Sequence, residues 1–247
     1  MTHSANIKHS DGEPVRAAAA LIRAGRLVAF PTETVYGLGA DARNERAVAE
    51  IFAAKGRPQF NPLIVHVCDL AAARELAEFD PLSLLLAQHF WPGPFTLVLP
   101  RRAGCGLSLL VSAGLDTVAL RVPAHPLAQA LLSVAGCPIA GPSANISGRI
   151  SPTSAAHVAA ELGGRVAMIL DGGVCALGLE STVVQVRGDD VFLLRPGSVT
   201  RDQIAAIAGT VITGADDPDA PRSPGQLASH YAPNLPLRRN VTTSGPG

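Results

Sequence analysis

The sequence lacks the patterns that mark several large classes of protein. Basic and acidic residues are equal in number, 20 of each, so the formal net charge is +0 and the composition indicates neither a nucleic-acid coat nor a polybasic membrane anchor. Polar residues or prolines interrupt every apolar run well before the roughly 18 residues that a membrane span requires. The polar N-terminus has no basic and apolar regions of the signal-peptide kind. We therefore expect a cytoplasmic protein that does not enter a membrane.

Cysteine is scarce and has no metal-binding spacing. The four cysteines form no C-x-x-C pair, and no histidine is placed to complete a zinc cluster with them. We interpret them as reduced, mostly buried thiols. They are Cys68, Cys105, Cys137 and Cys175.

Two common nucleotide-binding fingerprints are also missing. There is no G-x-x-x-x-G-K-[ST] loop and no G-x-G-x-x-G after the first predicted strand, which argues against a P-loop NTPase and a dinucleotide enzyme. Lysine occurs only as Lys8 and Lys55. Because a site that needs only positive charge could use arginine instead, a lysine in mid-chain is informative.

What is present predicts a folded α/β protein. The hydrophobic content of 47% allows a substantial core, and helical and strand patterns alternate and end in a hairpin, as expected for a mixed α/β sheet. We predict a polar N-terminal segment over 1–13, a folded domain over 14–213 and a linker over 214–247. Predicted helices cover 14–24, 44–55, 70–78, 81–90, 126–134, a segment capped by Ser151 or Thr153 that ends at 162, and a short one from 200. Predicted strands cover 27–30, 62–67, 95–99, 117–122, 138–140, 166–170, 182–186 and 191–194, and 31–41 is predicted as a loop.

Polar side chains concentrate in the loops that follow these strands, where open α/β sheets carry their sites. Each one also has an ordinary interpretation: a basic residue can satisfy a helix dipole, a serine or asparagine can form a turn, and a histidine can sit in a core. Their joint occurrence favours one site that binds anions. The residues are Thr32, Glu33, Thr34, Tyr36, Lys55, Arg57, Asn61, His66, Arg121, Ser143, Asn145, Ser147 and Arg195.

Four short motifs carry a resemblance to a known family. The segments 31–38 (PTETVYGL), 55–63 (KGRPQFNPL), 143–145 (SAN) and 180–182 (EST) closely resemble the YrdC-type threonylcarbamoyl-AMP synthase family, in order and over most of 14–213. The resemblance implies a twisted open sheet of mixed parallel and antiparallel strands with flanking helices and a concave cavity. It also implies that L-threonine, bicarbonate and ATP form threonylcarbamoyl-AMP and pyrophosphate. A partner complex would then transfer the threonylcarbamoyl group to tRNA.

The resemblance also implies residue roles, position by position. Lys55, Arg57, Ser143 and Asn145 would be the catalytic residues, Asn145 would orient a phosphate or Mg²⁺, and the Mg²⁺ would be bound through the ATP phosphates. Threonine would contact Thr34, His66, Arg121, Gly141 and Ser181. ATP would contact Lys55, Arg57, Asn61, Thr117, Ser143, Ser151, Arg195 and Tyr231.

The tail carries a second resemblance. The segments 223–225 (SPG) and 230–233 (HYAP) resemble the linker of the longer, two-domain members, which implies that Tyr231 closes on the nucleotide. Those members continue into a second domain, whereas this sequence stops at Gly247.

Two other functions stay open on sequence grounds. An RNA-binding module could use the same kind of cavity for a polyanion, although zero net charge and few aromatics argue against it. The carbamoyl-adenylate chemistry of hydrogenase-maturation proteins is the other, but those proteins carry zinc-finger segments and this sequence has no C-x-x-C pair.

Overall fold

The computed structural model describes residues 7–8 and 12–213, which form one mixed sheet with helices packed against it. The strands are β1 (Ile7–Lys8), β2 (Val28–Phe30), β3 (Gly37–Asp41), β4 (Ile64–His66), β5 (Phe95–Pro100), β6 (Thr117–Arg121), β7 (Ile139–Ala140), β8 (Met168–Leu170), β9 (Thr182–Arg187), β10 (Asp190–Arg195) and β11 (Val211–Thr213). The helices are α1 (Gly12–Arg23), α2 (Glu45–Lys55), α3 (Leu70–Leu76), α4 (Pro81–Phe90), α5 (Pro126–Ala135), α6 (Ala155–Leu162) and α7 (Arg201–Ala208).

The strands lie in the order β1-β8-β2-β3-β7-β4-β6-β5-β9-β10-β11. Parallel pairs such as β4 with β6 and β5 with β9 alternate with antiparallel pairs such as β4 with β7 and β9 with β10. The predicted α/β fold with a mixed sheet is therefore confirmed. No helix in the described part of the chain is long and apolar enough to cross a membrane.

Local capping signals set several helix ends where the sequence predicted them. The side chain of Asn44 accepts a hydrogen bond from the Ala47 N–H at the start of α2, and Gly56 ends that helix in the left-handed conformation, with φ of 58°. Thr200 and Gln203 form a capping box at α7. Because Lys55 is the last residue of α2, the position at which this helix ends fixes the position of the Lys55 side chain.

The predicted loop over 31–41 is wrong in its second half, because Gly37–Asp41 forms the buried strand β3. Its glycines serve close packing rather than a turn. A Cβ atom on Gly37 would lie 3.0 Å from Cζ of Phe30, and one on Gly39 would lie 3.0 Å from Cε1 of the same ring. The loop proper is therefore short and is held between two strands.

The predicted caps of the sixth helix are also wrong. Ser154 caps α6, and its hydroxyl accepts a hydrogen bond from the His157 N–H. Ser151 donates instead to the carboxylate of Glu180, so its side chain is directed to another segment. Thr153 lies between them and precedes the cap.

Besides β3, two short strands were not predicted. Strand β1 lies in the segment predicted as a polar N-terminus and pairs with β8, and β11 follows α7 and pairs in parallel with β10. Val199, Ile204 and Val211 belong to the same core as the central sheet, so the chain packs on this body through residue 213. The predicted linker over 214–247 lies outside the described residues.

The core has one small part made of strand residues alone. Helices α1 and α5 cover one cluster, and helices α2, α3, α4, α6 and α7 contribute to the largest one. The third buried cluster is formed by Ile64, Val98, Ala119, Val183 and Leu194. Ile64 also lines the cavity described next, so the site lies beside this strip of sheet.

Candidate active site

A cavity lies where the β2–β3 loop meets strand β4, the ends of β6, β7 and β10, and the segment before β9. The loop after β7 is held against β3, because the Leu38 N–H donates to the Pro142 carbonyl at 2.7 Å and the Ala144 N–H donates to the Tyr36 carbonyl at 2.8 Å. Residues distant in the sequence thus share one surface. The predicted site residues that line the cavity are Thr34, Arg57, His66, Arg121, Gly141, Ser143, Ser181 and Arg195.

Arg121 at the end of β6 has its guanidinium held on several sides. Its Nη2 forms an ion pair with Oε1 of Glu33 at 2.6 Å, its Nη1 donates to the hydroxyl of Thr34 at 3.0 Å, and its Nε donates to the Gly93 carbonyl at 3.1 Å. Burial lowers the pKa of Arg121, and the Glu33 carboxylate acts in the opposite direction. The result is a fixed, buried cation at the cavity wall.

His66 offers a neutral acceptor to the same cavity. Its ring is buried and meets Phe30 edge to face, with centroids 5.7 Å apart. Burial, followed by the nearby Arg121 charge, lowers the pKa of His66 to about 3. Its Nδ1 has no hydrogen-bond partner in the described part of the chain. Near neutral pH this nitrogen can accept a hydrogen bond from a ligand, but the neutral ring cannot supply positive charge.

Arg195 at the end of β10 is held as firmly as Arg121. Its Nη1 pairs with Oε2 of Glu180, and its Nη2 donates to the carbonyl of Ser181 at 2.9 Å and to the hydroxyl of Ser181 at 3.0 Å. The Ser181 hydroxyl also shares a hydrogen bond with Thr96 at 2.7 Å. Ser151 donates to Oε1 of Glu180 at 2.7 Å, so a chain of contacts joins Ser151 to Arg195.

A second, larger cavity adjoins the first at Glu180. Its volume is about 450 Å³, against about 40 Å³ for the first, and Glu180 lines both. Ser151 lines the second cavity together with the exposed side chains of Ile150 and Leu179. A volume of this size is typical of a pocket for a small organic ligand, whereas the first cavity is narrower and has three arginines in its lining.

Lys55 contacts the site through the backbone of the loop that carries Ser143. Its buried ammonium donates to the backbone carbonyls of Ser143 at 2.5 Å and Asn145 at 2.6 Å, and its own carbonyl accepts from the Ser147 N–H at 2.8 Å. Burial, followed by the charge of Arg57, lowers the pKa of Lys55 to about 7. The turn around Lys55 and the bend around Ser143 are therefore in direct contact, but Lys55 does not line either of these two cavities.

Arg57 and two asparagines lie on this side of the site, although neither asparagine lines either of the two cavities. Arg57 lines the narrow cavity, and its guanidinium donates to the carbonyls of Asn61 at 3.2 Å and Pro62 at 2.9 Å. Both polar side-chain atoms of Asn61 and the Oδ1 of Asn145 are buried without a partner among the described residues. Because unpaired buried amides are costly, they are suited to binding a polar ligand or a hard cation.

The structure does not bring every predicted site residue to this place. Thr117 begins β6 and pairs with Pro100, roughly 13 Å along the strand from Arg121 if each residue rises about 3.3 Å, and it does not line either of the two cavities. Tyr231 lies outside the described residues. The described part of the chain also contains no group of three or more histidine, cysteine, aspartate or glutamate residues that could hold a metal ion.

The roles of two acidic residues of the site were not predicted. Glu33 and Glu180 form the ion pairs of the two buried arginines, but neither was assigned a role in binding from the sequence. The signal that could have found them was their position, since they stand directly before Thr34 and Ser181 in two of the motifs that carry the resemblance.

Comparison with known proteins gives consistent matches. The family model Sua5_yciO_yrdC, described as "Telomere recombination", matches residues 20–197, and the model described as "Threonylcarbamoyl-AMP synthase, C-terminal domain" matches residues 199–245. A Bacillus subtilis protein named threonylcarbamoyl-AMP synthase is 51% identical over 224 residues, which cover 89% of this chain and 64% of the relative. A Pyrococcus abyssi protein of the same name is 45% identical over 237 residues, which cover 94% of this chain and 68% of the relative.

Solved structures agree with this match. The crystal structure of P. abyssi Sua5 complexed with L-threonine has a TM-score of 0.88 and 45% identity, and the alignment covers 92% of this chain and 68% of that one. A doubly substituted variant of the same protein has a TM-score of 0.86 and 44% identity, with 90% of this chain and 66% of that one covered. This chain thus spans about two thirds of the length of those proteins.

Proposed function

This chain belongs to the Sua5_yciO_yrdC family, and we propose that it makes threonylcarbamoyl-AMP and pyrophosphate from L-threonine, bicarbonate and ATP. One observation carries the proposal: three buried guanidinium groups, those of Arg57, Arg121 and Arg195, line a single narrow cavity. Such a cluster of buried cations is suited to ligands that carry a carboxylate and phosphates.

The amino acid occupies the side of the cavity formed by Arg121, His66 and Gly141. The guanidinium of Arg121 binds the threonine carboxylate, because its planar fork matches two carboxylate oxygens. The neutral Nδ1 of His66 accepts a hydrogen bond from the amine or the hydroxyl. Thr34 and Ser181 supply hydroxyl groups at the same wall. The complex of the P. abyssi relative with L-threonine supports this assignment.

The nucleotide extends from the narrow cavity into the larger one. Arg57, Arg195 and Ser143 line the narrow part, where the phosphates bind. Ser151 lines the larger cavity of about 450 Å³, which has room for the nucleoside. The role of Thr117 has no support from its position, and the closing role proposed for Tyr231 concerns a residue outside the described part of the chain.

The residues present fit a magnesium ion that arrives with ATP. The buried Oδ1 of Asn145, which has no partner among the described residues, is a hard oxygen donor of the kind that Mg²⁺ prefers. Asn145 would hold the ion or a phosphate oxygen, and the buried amide of Asn61 would hold a second polar group of the nucleotide. When bound, Mg²⁺ neutralises charge on the phosphate oxygens.

The chemistry follows from positioning and electrostatics. Threonine must present a neutral amine, which forms a carbamate with loss of water from bicarbonate or with loss of a proton when CO₂ is the reactant. A carbamate oxygen then attacks the α-phosphorus of ATP, a new P–O bond forms, and the bond to the pyrophosphate leaving group breaks. Arg57 and Arg195 stabilise the charge that develops on phosphate oxygens. The confined cavity also limits the access of water to the carbamate, which is unstable in water.

Later steps of the proposal involve partners and the tail. A separate complex would transfer the threonylcarbamoyl group to tRNA in the cytoplasm. Residues 14–213 would form the catalytic domain and 214–247 a linker that contributes Tyr231 to the nucleotide site. The match of residues 199–245 to the C-terminal family model supports the assignment of the tail to the same type of protein.

A pyrophosphate assay tests the proposal. The protein is incubated with ATP, Mg²⁺ and bicarbonate, and pyrophosphate is measured with threonine, serine or carbamoyl phosphate added. Threonine-dependent release that stops when EDTA removes Mg²⁺ is the expected result. Release that depends on carbamoyl phosphate would indicate the hydrogenase-maturation type of reaction, and a steeply salt-dependent affinity for RNA without turnover would indicate an RNA-binding module. Either of these results would overturn the proposal.

A further inference from the structure

Glu33 contacts Arg121 but does not line the narrow cavity. Thr32, Thr34 and Arg121 line the narrow cavity, but Glu33 between the two threonines does not. Its carboxylate is 13% exposed and contacts Arg121, whose side chain is 4% exposed, at 2.6 Å. Glu33 therefore reaches the site only through the arginine that it holds.

The two oxygens of Glu33 have different donors. Oε1 accepts from Nη2 of Arg121, and Oε2 accepts from the backbone N–H of Ala124 at 3.1 Å. The carboxylate thus joins the β2–β3 loop to the end of β6 and to the segment that follows it. In a glutamine at this position an NH₂ group replaces one of these two oxygens, so a donor faces either the arginine or the Ala124 N–H.

We propose that Glu33 is a positioning residue for the amino-acid substrate, which acts by holding the Arg121 guanidinium in the orientation that binds the substrate carboxylate. The inference rests on the proposed function, because it takes the carboxylate to be that of the amino acid. The inference links Glu33 to the amino acid and not to the nucleotide. On the nucleotide side, Arg57 donates to the carbonyls of Asn61 and Pro62, and Arg195 pairs with Glu180.

The second ion pair of the site provides a matched control. Glu180 pairs with Arg195 and also accepts from the hydroxyl of Ser151. A glutamine at 180 can accept from Arg195 with its oxygen and donate to the Ser151 hydroxyl with its amide, because a hydroxyl both donates and accepts. Glu180→Gln therefore removes the same charge as Glu33→Gln, but at the arginine assigned to the nucleotide.

The experiment measures the dissociation constants of threonine and of a non-hydrolysable ATP analogue by calorimetry. The proteins are the full chain and its Glu33→Gln, Glu180→Gln, Arg121→Gln and Glu33→Gln/Arg121→Gln variants. We expect Glu33→Gln to weaken threonine binding roughly ten- to a hundredfold, as for a binding group displaced by about 1 Å, with unchanged binding of the ATP analogue. Glu180→Gln should weaken binding of the ATP analogue more than binding of threonine, because it acts on Arg195. In the Arg121→Gln background, Glu33→Gln should cause no further loss.

Charge alone predicts the opposite sign. Removing the Glu33 carboxylate would strengthen the attraction between Arg121 and a substrate carboxylate, so unchanged or tighter threonine binding by Glu33→Gln would overturn the inference. Equal losses of threonine and of the ATP analogue would overturn it as well, because they indicate a general structural defect. A further loss in the Arg121→Gln background would also count against it. A wild-type chain that binds neither ligand would contradict the proposed function instead.

Discussion

The ammonium nitrogen of Lys55 lies 2.6 Å from the carbonyl oxygen of Asn145, 90 residues later in the chain. A second bond joins the same nitrogen to the carbonyl of Ser143. The end of helix α2 and the loop after strand β7 are therefore fastened together by one buried side chain. Lys55 thus affects the cavity through the loop that carries Ser143.

Lys55→Ala should remove most threonine-dependent pyrophosphate release. The substitution leaves two backbone carbonyls without their donor, which costs about 1–3 kcal/mol for each group, and it frees the loop that carries Ser143. Lys55→Arg should not restore activity, because the buried space holds a single nitrogen between two carbonyls. Pyrophosphate release and urea unfolding measure both effects. Arg46→Ala, an exposed site on the same helix, is the control, and near-normal release by Lys55→Ala would contradict the assignment.

Gly141→Ala should weaken threonine binding while ATP binding persists. A Cβ atom on Gly141 would lie 2.9 Å from Nδ1 of His66 and 3.2 Å from Cζ of Phe30, so it would crowd the one acceptor that the ring offers to a ligand. We expect an increase of roughly tenfold or more in the dissociation constant of threonine, measured by calorimetry. Gly164→Ala meets no atom within 4 Å and should bind threonine normally. Equal affinities for the two variants would argue against a threonine site at this wall.

Asn61→Leu should make the protein more stable and less able to bind ATP. Both polar atoms of the Asn61 side chain are buried without a partner among the described residues, and an apolar side chain removes that cost, by about 1 kcal/mol. Denaturant unfolding and calorimetry with an ATP analogue provide the two measurements. Asn44→Ala should behave in the opposite way, since it loses the cap of α2 at about 1 kcal/mol and leaves ATP binding intact. Normal ATP binding by Asn61→Leu would refute the nucleotide role.

His66 should make the protein less stable as the pH falls. Its pKa is lowered to about 3 in the folded state, whereas an unfolded histidine has a pKa of about 6.5. Between these values the unfolded chain binds a proton that the folded chain does not, so stability rises with pH across this window and is lost as the pH falls. Between pH 6.5 and 4.5 this amounts to roughly 2 kcal/mol.

The measurement is urea unfolding at pH 6.5 and 4.5. His66→Gln should lose roughly 2 kcal/mol less than the wild type over this interval, because glutamine does not titrate. The exposed His89→Gln serves as the control and should follow the wild type. A wild type and a His66→Gln variant with the same pH dependence would show that His66 is not held neutral by burial.

Short-range signals in the sequence were sufficient for much of the fold. Asn44 and Gly56 cap the two ends of α2, as predicted, and Pro81–Phe90 forms the predicted helix. The prediction from the sequence was wrong where one residue type can serve two structural purposes. Gly37 and Gly39 resemble turn residues, yet they allow β3 to pack against the ring of Phe30, and that neighbour is not visible in the local sequence.

The same distinction between local signals and long-range contacts applies to the site. The resemblance assigned roles to eight residues that line the cavity, among them Arg121 and Arg195, each of which ends a predicted strand. It did not identify Glu33 and Glu180 as their partners, since ion pairs between residues 88 and 15 positions apart leave no local pattern. The resemblance also assigned Thr117 to the ATP site, but Thr117 lies at the opposite end of β6 from Arg121 and does not line either of the two cavities.

By itself, the sequence determined which residue types are available, where most helices and strands begin and end, and which family the motifs resemble. Capping, periodicity and charge act over a few residues, so they can be identified without coordinates. The tertiary structure alone decided that Lys55 reaches the cavity through two backbone carbonyls and that Arg121 and Arg195 each have a dedicated carboxylate. These contacts depend on the order in which the strands pair, which brings distant residues within hydrogen-bonding distance.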